Sequence, residues 1–99
     1  MNESRLAAMA TKYVIDVRPG SEWQRIGRMS RCYVIENIAG PGGLESAIGG
    51  EFTHPQVVGD KKAAPVLFPG QSTMVEKGSS KEYLWVHAEE NRTIVGYWS

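Results

Sequence analysis

The chain has 99 residues, enough for one domain, because so short a polymer buries only about two-thirds of the surface its unfolded form exposes and cannot support two cores. Eleven lysines and arginines balance eleven aspartates and glutamates, so no overall field gathers nucleic acid or an anionic membrane, and charged partners have to be sought locally. The single cysteine, Cys32, excludes an internal disulfide, and no apolar run approaches the ~20 residues of a membrane span; the composition predicts a protein made in the cytoplasm of its cell and not held in a membrane.

Residues 1–11 offer Asn2 or Ser4 as caps and place Leu6 and Met9 or Ala10 on one face, enough for about two turns of helix. A helix this short is unstable alone, so the segment reads as an arm that packs on its own domain or orders on a neighbour. Ala8-Met9-Ala10 has the form of a signal-peptidase site. The apolar stretch there is shorter than the ~7–15 residues of a signal core, and Glu3 stands where positive charge belongs, so no signal peptide is read.

Tyr13, Ile15 and Val17 then alternate with Lys12, Asp16 and Arg18, which predicts a half-buried strand. Pro19-Gly20 predicts a turn in which glycine supplies a positive φ, leading to a short strand around residues 23–26. "SRCYVIENI" puts Tyr33 and Ile35 on one face and Cys32, Val34 and Ile38 on the other; apolar residues on both faces predict an interior strand, stopped by "AGPGG". "LESAIGGEF" predicts a short strand and a turn, since Gly49 and Gly50 break any helix there. "THPQVVGDKKAAP" reads as a polar loop with a few strand residues around Val57.

Phe68-Pro69-Gly70-Gln71 fits a type II turn, and since tight hairpins favour the primed turns, it is expected to change direction between sheets. "YLWVHA" places Tyr83, Trp85 and His87 opposite Leu84, Val86 and Ala88. After "EENR", "TIVGYW" is expected to pair with it as the last strand, with Leu84, Val86, Ile94 and Trp98 feeding the core and Tyr83, Trp85 and Tyr97 on the other face. The chain thus reads as all-β: residues 12–99 form a small antiparallel β-sandwich or jelly-roll-like barrel of seven or eight short strands, preceded by the arm.

Reactive motifs are incomplete. Gly70-Gln71-Ser72-Thr73-Met74 opens a nucleophile elbow but lacks its closing glycine and following helix. Gly40-Pro41-Gly42-Gly43 opens like a phosphate loop, yet Glu45 stands at the third glycine position and no Lys-Ser/Thr follows. His54, His87 and Cys32 share no ligand spacing, so no metal or cofactor is expected; Cys32 reads as a core residue and His87 as a structural histidine beside Trp85. No nucleophile and base can be assembled, which points away from an enzyme.

One local asymmetry stands out: Arg18, Arg25, Arg28 and Arg31 face only Glu22, with Trp23 interleaved. The plainest reading is a solvated face. A second is a single-stranded nucleic-acid-binding barrel in which bases stack on Trp23 and Tyr33, which the overall charge balance disfavours. A third is contact with an acidic protein neighbour, which suits a region that uses arginine and no lysine.

The order of elements adds a resemblance. "CYVIENIA" ending in Asn-Ile-Ala, a glycine-rich turn, an Ile-Gly-Gly segment, a loop, "LFPGQS", a polar turn, "YLWVHA" and a last strand together resemble the small β-sandwich virion proteins of tailed bacteriophages, over Ser30 to Trp98. The long first third departs from that pattern. The resemblance implies a non-enzymatic protein of the virion, made in the host cytoplasm: a capsid decoration (cement) protein bound to the major capsid protein at subunit junctions, or a head fibre or tail adaptor. It also implies a symmetric homo-oligomer, with a trimer favoured. Candidate contact residues are then Leu6 and Met9 of the arm, Trp23, Arg25, Arg28, Arg31, Tyr83, Trp85 and Tyr97.

Overall fold

The computed structural model describes residues 13–20, 22–52 and 61–98. The arm with Leu6 and Met9, and the strand expected around Val57, lie outside the described residues. Within them are seven strands: β1 (Tyr13–Val17), β2 (Gln24–Arg28), β3 (Cys32–Ala39), β4 (Glu45–Gly49), β5 (Ser72–Val75), β6 (Tyr83–His87) and β7 (Arg92–Trp98). Two antiparallel sheets result, ordered β1-β7-β3-β5 and β2-β6-β4. Odd-numbered strands make one sheet and even-numbered strands the other, so every connection crosses between sheets and no two consecutive strands pair.

The pairings are nested. β1 pairs with β7, β2 with β6 and β3 with β5, while inside them Ala47 bridges Lys62 and Leu44 bridges Leu67. A single antiparallel ribbon folded back after β4 and wrapped around a core is the path of a jelly roll. Among the described residues the eighth strand of that path is represented by these two bridges, and the one at Ala47 extends the edge of β4 through the Ile48 N–H to Lys61 O (2.9 Å) and Ala63 N–H to Ser46 O (3.2 Å) bonds.

Strand alternation fills the space between the sheets. Val17, Tyr33, Ile35, Val75 and Val95 enter from the four-stranded sheet; Leu84 and Val86 enter from the three-stranded one, with Ile26 and Ile48 packed at their side. Met29, Leu44, Ala64 and Leu67 close the ends. β3 lies between β7 and β5, as its two apolar faces predicted: Val34 is fully buried on the face opposite Tyr33 and Ile35.

Three expectations are corrected. β6 and β7 do not pair; they belong to different sheets, and residues 88–91 form a corner rather than a hairpin. The winding decides this, because β7 fills the slot between β1 and β3, with Tyr97 in register with both Tyr13 and Tyr33. Consequently Val95 and Tyr97 turn inward, while Ile94 and the register position of Trp98 fall on the opposite face, the reverse of the assignment made from the pattern. Gly20 does not supply a positive φ; its N–H bonds Ala88 O (2.9 Å), tying the β1–β2 corner to the end of β6.

The corner at Phe68-Pro69-Gly70-Gln71 is of type II, with the Gln71 N–H on Phe68 O (3.0 Å) and Gly70 at φ 89°. It carries the chain from the Leu44–Leu67 bridge into β5. Two buried asparagines hold this end. Asn91 Nδ2 donates to Asn37 Oδ1 (3.0 Å) and Gly42 O (2.7 Å), its Oδ1 accepts from the Gly42 N–H (3.1 Å), and Asn37 Nδ2 donates to Leu67 O (2.9 Å). Gly40, at φ 129°, passes so close to Asn91 that a Cβ there would stand 2.7 Å from its side chain.

Candidate docking face on the three-stranded sheet

The outward face of β2-β6-β4 gathers most of the residues singled out above. On β6, Tyr83, Trp85 and His87 alternate with the inward Leu84 and Val86. Across them on β4 stand Gly49, Ala47 and Glu45, small beside the two larger rings and acidic beside the histidine. On β2, Arg28 lies opposite Tyr83 and Arg25 opposite Trp85.

Residues three apart on a regular strand point to opposite faces, so Arg25 and Arg28 share one only because the register shifts between Arg25 and Gly27. The bulge leaves Ile26 against the core and points Gly27 inward opposite Leu84. There is no room for more: a Cβ on Gly27 would lie 2.4 Å from the Tyr33 hydroxyl, which donates to Arg28 O (2.6 Å).

Both guanidinium groups rest on rings. Arg25 lies over Tyr83 (5.5 Å) and over Phe52 (5.6 Å), and Arg28 lies over Tyr83 (5.3 Å). Each is steered by one backbone carbonyl: Arg25 Nη1 donates to Glu51 O (2.7 Å) and Arg28 Nη1 to Ser80 O (3.2 Å). Trp85 Nε1 donates to Gly50 O (2.9 Å), which holds residues 50–52 against the sheet. Tyr83 and Trp85 are buried at 6% and 7% exposure, whereas Phe52 projects at 83%.

At the other end of β6, Trp23 stacks on His87 with centroids 5.4 Å apart and planes 27° from parallel. His87 Nδ1 lies 3.0 Å from Glu45 Oε1; with a carboxylate as acceptor, Nδ1 carries the hydrogen. His87 Nε2 is buried without a hydrogen-bond partner among the described residues.

The two remaining residues singled out for contact sit elsewhere. Arg31 lies over Tyr97 (4.4 Å), and Tyr97 tilts against Tyr33 (5.7 Å, 56°), packed on the core of the four-stranded sheet. Tyr97 therefore does not share a face with Tyr83 and Trp85. Burial pushes the Tyr33 hydroxyl up to about 12, with Arg31 opposing the shift and Tyr97 adding to it.

No family model, curated protein or solved structure matches the chain. The surface is therefore interpreted through its own chemistry. Among the described residues, no group of three or more His, Cys, Asp or Glu converges as a metal site would. A depression of about 430 Å³ bordered by Asp16, Arg18, Glu90 and Arg92 has its acids and bases in balance. What the outer face presents is planar cations fixed on aromatic rings beside an exposed phenylalanine, the composition that enriches protein interfaces.

The face brings together Trp23, Arg25, Arg28, Tyr83 and Trp85 with Phe52 and the Glu45–His87 pair, which the sequence pattern does not single out. Phe52 follows Gly49 and Gly50 in what reads as a turn, and the indole bond to Gly50 O with the Arg25 bond to Glu51 O places it beside Arg25. The usable signal was an aromatic residue in an otherwise polar loop.

Proposed function

We propose that this chain is a capsid decoration (cement) protein of a tailed bacteriophage: a non-catalytic virion component that docks on major capsid protein at subunit junctions and assembles as a symmetric homo-oligomer, with a trimer favoured. The observation that carries the reading is the Arg25 guanidinium resting over both Tyr83 and the projecting Phe52, with Arg28 over the same tyrosine. Preorganised arginines and an open apolar ring lower the entropic cost of forming an interface. The jelly-roll winding agrees, since viral capsid domains are among its common uses, although a fold by itself carries many functions. Binding at many lattice points turns a modest contact into firm attachment. Head fibre and tail adaptor are the related virion positions.

Nucleic-acid binding is less well supported. Stacking platforms need open ring faces, but Tyr33 is fully buried and Trp23 already stacks on His87. The strands also form two separate sheets, of four and three strands, rather than one closed barrel.

Light scattering after size exclusion, followed by co-sedimentation with purified capsids of the encoding phage, tests the proposal. The expected result is a defined oligomer that pellets with capsids in fixed stoichiometry. A strict monomer that stays in the supernatant overturns it.

A further inference from the structure

Among the described residues, two carboxylates beside the arginine face, Glu82 and Glu45, are held by Lys61 and His87, and neither Arg25 nor Arg28 is paired with a carboxylate. Glu82, next to Tyr83, is ion-paired with Lys61, and that hydrogen bond is the main reason its carboxyl is held below the usual range. Glu45 is held by His87. Among the described residues no carboxylate lies within ion-pair distance of Arg25 or Arg28. Each guanidinium spends one N–H on a backbone carbonyl and has five to offer. Both are exposed, yet both are oriented by a ring and a carbonyl.

We infer that this face receives an acidic protein segment, in which a pair of aspartate or glutamate side chains binds Arg25 and Arg28 and an apolar neighbour covers Phe52. Charge complementarity selects this occupant. Guanidinium forks match carboxylates two bonds at a time, and planes already stacked on rings lose little freedom in doing so. Arg25 sits opposite Trp85 and Arg28 opposite Tyr83, so the two forks are separated by one outward step of β6. That step matches the spacing of alternate side chains on an extended peptide. Phe52 lies within reach of Arg25 and, among the described residues, makes no ring contact with Arg28, so the apolar contact adjoins the Arg25 end.

The inference rests on the reading of the chain as a docked virion protein. The test is nevertheless made on the isolated full chain. The probe is a peptide alternating aspartate with leucine and phenylalanine, compared with the same peptide carrying asparagine at every aspartate, while the arginine Nε–H resonances are followed by NMR. The Arg25 and Arg28 signals are expected to move and that of Arg18 to stay. The asparagine peptide should bind about tenfold more weakly or worse, and binding should weaken with added salt. Arg25→Gln and Arg28→Gln should each weaken binding by a similar factor, Arg25→Lys by less, and Phe52→Ala should lower affinity without changing the salt dependence.

Equal binding of the two peptides by the unaltered chain overturns the inference, whatever the variants do. So does tighter binding of oligothymidylate than of the acidic peptide at the same salt, which would mark the face as nucleic-acid-binding. The two levels of the account separate cleanly. Chain present in particles, with incorporation unchanged by Arg25→Gln and Arg28→Gln, overturns the acidic-segment inference alone. Selective binding of the acidic peptide by a chain that never enters particles overturns the decoration reading alone.

Discussion

Asn91 occupies the last position before β7 and reaches across to two partners, Asn37 and Gly42, through three hydrogen bonds. The bond to Asn37 is buried and the two to Gly42 are part-buried, so truncation leaves the Asn37 side-chain carbonyl without its donor in a site water does not reach. Asn91→Ala should lower unfolding free energy by about 2–3 kcal/mol in urea titrations; a loss under about 0.5 kcal/mol would show that the network is incidental. Tyr33 gives a second prediction at this scale, with a sign set by its proton. Its folded-state value of about 12 lies above the ordinary 10.0, so between those values the native state holds a proton that the unfolded chain has released. The contribution is complete below pH 10.0 and is lost as pH rises through about 12. Stability should therefore fall across that window, and Tyr33→Phe should flatten the fall while costing about 1 kcal/mol at neutral pH for the bond to Arg28 O. An unchanged alkaline profile in Tyr33→Phe would contradict the assignment.

At the scale of elements, the corners decide the fold more than the strands do. Gly70 takes the positive φ that turns the chain into β5, and an L side chain in that region costs about 1–2 kcal/mol, so Gly70→Ala should destabilise by that amount in the same titrations. An unaffected variant would show that the corner tolerates another geometry. The strand pattern was legible because alternation is a local signal: β3 reads as interior from Cys32 to Ile38, and Leu84 with Val86 reads as core. The type II corner was legible because proline and glycine occupy the positions it demands. Partnership was not legible. Nothing in "EENR" distinguishes a hairpin from a crossover, and the choice is made by β1 and β3, which claim both edges of β7. The same limit hid the bulge at Ile26. Arg25 and Arg28 look opposed by simple alternation, and only the requirement that Ile26 and Gly27 both serve the core brings them together. Their clustering in the sequence around Trp23 was legible, whereas their seat over Tyr83 and the arrival of Phe52 and Glu45 on the face come from contacts that a linear pattern does not encode.

For the whole molecule, the nested winding means that no strand finds its partner nearby in sequence: Tyr13 meets Tyr97, Arg28 meets Tyr83, and Tyr33 meets Val75. Loop-closure entropy is spent before any ladder forms, which places refolding in the range of milliseconds to seconds for all-β chains; stopped-flow fluorescence of the tryptophans should show this. A microsecond phase carrying the full amplitude would contradict the topology. β7 is the strand most others depend on, since it bridges β1 and β3, so truncation before Tyr97 should abolish folding before it abolishes binding. A folded truncation that merely loses its partner would reverse the order of cause. The same winding sets β2, β6 and β4 side by side on one outer face, where the two arginines stand over Tyr83 and, among the described residues, pair with no carboxylate. Electron cryo-microscopy of purified particles of the encoding phage tests the central claim most directly. The account predicts the sandwich on the capsid surface with Arg25, Arg28 and Phe52 turned into the shell; a particle without the chain, or one that contacts it through the four-stranded sheet, would contradict it.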